Sequence, residues 1–224
     1  MWTSFLVAQC VAWESNKTAA QDARTLLVDE QTHFISSVAT VDGEQKAVLA
    51  YEYYAPCFQG ADILYLVLPV SQLWRRVLAA NPMSVTVAVA ASPSLDDVDL
   101  RHATLSRAGR TQWDPARPLW RRGMASKNRL TMYGSMHRLA MNKESMDELA
   151  QCFVAHHPDA RMWLPGSEES PHTAVWMRFT PSSVYYVGGF GDEHFIGHLN
   201  MTEFCAAEPS FHAYTAQSSI YFQT

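Results

Sequence analysis

Imidazole and guanidinium groups are the main chemical resources of this sequence, which carries nine histidines in 224 residues. His156 and His157 close a helical pattern immediately before Pro158. An imidazole there can ligate a metal, but more often it caps the last helical carbonyls. His194 and His198 stand four residues apart, a spacing that aligns side chains on a helix. The intervening Phe195-Ile196-Gly197 does not favour a helix, and no carboxylate-rich partner set accompanies the pair, so no intrinsic metal site is expected. Arg75 and Arg76 follow Ser71 near the start of another helical pattern, where they could hold an anion such as a cofactor phosphate or simply face solvent. Gly188-Gly189-Phe190-Gly191 lacks dinucleotide-binding spacing and reads as a tight turn. No nucleophile elbow, phosphate loop or His-Glu-x-x-His motif is present, and no catalytic residue is assigned.

The elements that must position these groups follow from periodicity. Ala19, Ala20, Ala23, Leu26 and Leu27 have helical spacing. HFISSVATV, KAVLAYEYY and ILYLVL then read as strands, the first two joined by an Asp42-Gly43 hairpin turn. PVSQLWRRVLAANP is a helix with Val70, Leu73, Trp74, Val77 and Leu78 on its apolar face, stopped by Asn81-Pro82. Val85, Val87 and Val89 alternate as on a half-buried strand. Residues 91–128 form an irregular excursion with a functional or covering role. NRLTMYGSMHRLAM is a long strand with a bulge at Gly134. ESMDELAQCFVAHHP is the clearest helix, stacking Met146, Leu149, Ala150, Phe153 and Val154 on one barrel core. AVWMRF and SVYYVGGFG add two strands. The sum is a mainly β domain with flanking helices: an antiparallel, closed or nearly closed barrel.

Composition narrows the partners. Seventeen Lys and Arg against 22 Asp and Glu give a net charge of −5, without the basic excess that nucleic-acid binding needs. No apolar run approaches the roughly 20 residues of a membrane span. Cys10, Cys57, Cys152 and Cys205 show no metal or redox spacing and are expected as buried thiols, Cys152 on an apolar helix face. Residues 1–23 read as an extension, 24–203 as the domain and 204–224 as a tail. Phe5 to Trp13 has the length of a signal peptide's apolar core but no Lys or Arg before it; the alternative is a packed segment anchored by Trp2, Phe5 and Trp13. A leader would direct the chain to the secretory or endolysosomal route, where the sequons at Asn16 and Asn200 would be glycosylated; without one it is soluble and intracellular.

The order FISSVATVDGE, LYLVLPVSQLWRRVLAANPMSVTV, NRLTMYGSMHRL, HHPDARMWLP, HTAVWMRFTPSSVYYV and GGFG resembles the FMN-binding split-barrel superfamily of pyridoxamine 5'-phosphate oxidase-like proteins, and its CREG branch most closely. YYVGGFGDEHFI is also similar to heme-handling split barrels of the HugZ type. The resemblance implies a split β-barrel and a homodimer with a ligand groove at the subunit interface. In flavin-binding members, hydroxyl and basic side chains hold the phosphate; the matching positions are Ser36, Ser37, Arg75 and Arg76, although Trp74 and Val77 replace groups often polar there. A heme-binding member would need an axial ligand, with His157, His194 and His198 as candidates. CREG proteins are thought to lack flavin because a loop obstructs the groove, a role open to 91–128. Three functions follow: a non-catalytic interaction or assembly protein binding protein partners, an FMN-dependent oxidoreductase, or a heme-binding or heme-degrading barrel. The eroded phosphate site favours the first.

Overall fold

The computed structural model describes residues 14–41, 46–91, 127–140, 142–168, 170–189 and 194–210. Helix α1 (Asn16–Val28) starts on Ser15, whose hydroxyl accepts the Thr18 N–H at 3.1 Å. Its Ala19, Ala20, Ala23, Leu26 and Leu27 are buried, so the helix spans the expected boundary at residue 23 and lies within the core. Seven strands follow: β1 (Ile35–Val41), β2 (Ala47–Ala55), β3 (Ile63–Val67), β4 (Ser84–Ala90), β5 (Arg129–Arg138), β6 (Val175–Val187) and β7 (Ile196–His198). Helix α2 (Gln72–Ala79) lies between β3 and β4, α3 (Lys143–His156) between β5 and β6, and α4 (Met201–Ala206) after β7. Among the described residues no helix is long and apolar enough to cross a membrane.

All pairings are antiparallel in the order β3-β2-β1-β4-β5-β6-β7, and β3 also pairs with β6. That extra pairing closes β1 to β6 into a six-stranded barrel and leaves β7 appended outside. The expected mainly β barrel with flanking helices is therefore the fold. Alternation divides its faces: Ser36, Val38 and Thr40 of β1 and Val85, Val87 and Val89 of β4 turn inward, their neighbours outward. The interior is filled by Val38, Tyr65, Val87, Met132 and Phe179, and Trp74 and Val77 of α2 join it.

Several expectations need correction. α3 does not pack on that interior. Leu149 and Phe153 join Leu64, Leu66 and Trp176 in a second cluster on the outside of β3 and β6, while Met146 and Val154 are only half-buried. β3 can serve both clusters because it is buried on both faces. The cysteines are not simply buried thiols: Cys57 and Cys152 form a disulfide joining the β2–β3 loop to α3, and Cys205 is an exposed free thiol. Val70 lies before α2 and is exposed. AVWMRF and SVYYV are one continuous strand. Pro181 fits within it because the β5–β6 register shifts at Tyr133/Gly134, a bulge where the missing proline N–H removes no ladder bond. Cys10, Trp2, Phe5, Trp13, the Asp42-Gly43 turn and most of the 91–128 excursion lie outside the described residues.

Gly134 sits at that bulge, as expected. A Cβ there would lie 2.2 Å from the Thr180 carbonyl oxygen and 2.8 Å from the Phe179 ring. Backbone of a paired strand cannot step aside cheaply, so Gly134→Ala should lower stability by about 1–3 kcal/mol in a urea titration. An unchanged midpoint would mean that β5 and β6 do not approach so closely.

Candidate functional site

The outward positions of six strands fall into register. Ser37 stands opposite Tyr51 on one side and Ala88 on the other; Ala88 faces Thr131, Thr131 faces Tyr185, and Tyr185 faces His198. Small residues thus form a floor between two tyrosines. A groove of about 690 Å³ follows this row, edged by Ile35, Ile196, Arg129 and His33. Tyr51 is 76% exposed, unusual for so large a ring on a sheet face. His33 reaches the rim through a turn in which His33 and Phe34 both have left-handed backbone, φ 52° and 49°. Non-glycine residues adopt that conformation only where the surrounding structure imposes it. The lining includes hydroxyls from Ser37 and Thr131 and the Arg129 guanidinium, but no carboxylate or cysteine.

The sequence-predicted residues are dispersed. Ser37 lines the groove, whereas Ser36 is buried on the opposite face, 2.8 Å from the Tyr65 hydroxyl. Arg75 and Arg76 are exposed on α2 and do not line the groove. Ser71 caps that helix, accepting the Trp74 N–H at 3.1 Å. His157 is the C-cap of α3, buried, stacked on Tyr53 at 4.2 Å, with Nε2–H donating to the Tyr54 carbonyl at 2.9 Å. Burial pushes its pKa down, and burial first and the His157 charge second push His156 down to about 4, so both rings are neutral at pH 7. His194 lies with Nδ1 3.4 Å from a Glu14 carboxylate oxygen. His198, on β7, is 3.2 Å from the Ser183 hydroxyl and edge-on to Tyr185. Among the described residues no three His, Cys, Asp or Glu side chains are arranged to hold a metal ion. Tyr51, Thr131, Tyr185, Arg129 and His33 were not singled out by sequence motifs; strand alternation was the one signal they carried.

A closed six-stranded antiparallel barrel with outer helices and a groove across its sheet face defines a split-barrel protein. Residues 14–206 match the CREG β-barrel family, and the chain belongs to it. No curated protein matches it by sequence. Among solved structures, a heme-binding protein from Mycobacterium smegmatis is similar at 19% identity and TM-score 0.57; the match covers 85% of this chain and 61% of that one. The heme storage protein HutZ from Vibrio cholerae is similar at 17% identity and TM-score 0.43, over 74% of this chain and 93% of that one. A pyridoxamine 5'-phosphate oxidase homologue from Listeria innocua is similar at 12% identity and TM-score 0.43, over 73% and 96%.

Proposed function

We propose that the chain is a non-catalytic interaction protein that works as a homodimer, with the outer sheet face as its twofold interface. The observation that carries this reading is the row of large apolar side chains left in water on one sheet face: Val41, Leu49, Tyr51, Tyr133, Tyr185 and Ile196. A contiguous exposed patch of this kind marks an interaction site, and aromatic residues are enriched where interfaces bury them. The separation of Arg75, Arg76 and Ser36 from the groove further supports a barrel without the expected flavin-phosphate site. The Cys57–Cys152 disulfide, with exposed sequon residues Asn16 and Asn200, supports an oxidising, secretory compartment.

Light scattering at micromolar concentration should give about twice the 25.2 kDa chain mass, and Tyr51→Arg should halve it by placing an unpaired charge in the interface. A monomeric wild type overturns the reading. The groove's volume and its Ser37, Thr131 and Arg129 donors favour one second reading, a bound anionic cofactor. FMN and hemin titrated separately into the wild type decide between the two. The first reading expects no saturation. Tight FMN binding weakened about 10- to 150-fold by Arg129→Ala would establish the second.

A further inference from the structure

Glu14, immediately before α1, is a carboxylate in an unusual position. Its side chain is only 7% exposed. One oxygen, Oε2, accepts the Phe195 backbone N–H at 2.8 Å and lies 3.4 Å from His194 Nδ1. The other, Oε1, is buried with no hydrogen-bond partner. Asp22, on α1, faces the same carboxylate, and the Tyr186 ring of β6 lies beneath, its hydroxyl linked to the Asn128 side chain. Gly188 leaves the room: a Cβ there would stand 3.0 Å from Glu14 Oε2. The Gly188 N–H in turn donates to the Phe195 carbonyl, so Glu14 grips the open end of the β6–β7 hairpin. Asp192 and Glu193, next to His194 in sequence, lie outside the described residues.

We propose that Glu14, Asp22 and His194 form a proton-operated latch that fastens the β6–β7 hairpin to α1 and tightens as the solution becomes acidic. At neutral pH two carboxylates share a mostly dry space beside an uncharged imidazole, and a buried oxygen goes unpaired, an arrangement that opposes closure. Burial first, then the Glu14 charge and its hydrogen bond, raise the Asp22 pKa, partly offset by His194. A raised folded-state pKa means that ionised Asp22 disfavours the closed latch, so closure gains as pH falls through that pKa. Histidine gains its charge between pH 8 and 5, which adds an ion pair to Glu14 over the same descent. Ile196 of β7 edges the groove, so the latch sets one groove wall according to pH. It is independent of the dimer reading, since it lies within one chain.

The test is the exchange protection of the Phe195 amide at pH 4.5 and 7.5, each corrected for its intrinsic exchange rate. Melting temperature would mislead, because His156 and His157 are neutral in the fold and acid weakens the α3 end. Wild-type protection should be about two- to fivefold higher at pH 4.5, the range a partly exposed ion pair supplies. Asp22→Asn should raise protection at pH 7.5 toward the acid value. His194→Gln, a change at a half-exposed side chain that leaves the fold intact, should shrink the ratio, and the double variant should abolish it. Equal wild-type protection at the two pH values, higher protection at pH 7.5, or a double variant with the wild-type ratio would each overturn the latch.

Discussion

Replacing Phe153 with alanine should lower the unfolding free energy by about 3–5 kcal/mol, among the largest losses available from a single side chain here. The ring is fully buried, 5.3 Å from Trp176 in an edge-on contact and 5.0 Å from His157. It lies between α3 and the outer face of β3 and β6, two strands hydrogen-bonded to each other over Ile63–Val67 and Val175–Phe179. A sheet held this way cannot collapse into the space the ring leaves, which is why the loss belongs at the upper end of large-to-small substitutions. Phe153→Leu keeps most of the volume and should cost under about 1.5 kcal/mol. Urea titration followed by circular dichroism and tryptophan emission measures both. A Phe153→Ala protein with the wild-type midpoint would place α3 elsewhere.

What the sequence discloses is mostly local, and the reason is visible in particular residues. The alternation of Val85, Val87 and Val89, the helical stack around Phe153 and the bulge glycine Gly134 each depend on neighbours a few positions away, and each element stands where periodicity predicts it. Closure of the barrel depends on Tyr65 meeting Met177, a pairing between residues more than a hundred positions apart that no local pattern encodes. The same holds for Cys57 and Cys152, whose separation of 95 residues made two isolated thiols the natural reading. β6 was split in two because Thr180-Pro181 resembles a break, and only its bulged pairing with β5 shows how proline is accommodated. The site was less legible than the fold. Period-two geometry puts Ser36 and Ser37 on opposite faces, but which one meets the groove depends on which face the barrel closes around. Tyr51, Thr131 and Tyr185 become neighbours only through cross-strand register.

Removing the Cys57–Cys152 cross-link should cost about 4 kcal/mol, measured as the difference between oxidised and dithiol-reduced wild type in urea. The expectation rests on loop length. A bridge over roughly 100 residues removes much of the closure entropy from the unfolded chain, and the closed loop contains β3, β4, β5 and most of α3. Three of the six barrel strands are thereby confined before folding begins, which favours the distant β3–β6 pairing. Because the effect acts on the unfolded state, reduction should also steepen the denaturant dependence as the freed chain exposes more surface. The variant Cys57→Ala with Cys152→Ala should unfold with the reduced wild type and ignore the reductant. Cys205→Ser should keep the full response, since that exposed thiol lies outside the bridge. Coincident unfolding curves for oxidised and reduced wild type would show that the bridge adds no constraint, and would leave α3 held on the barrel by Leu149 and Phe153 alone.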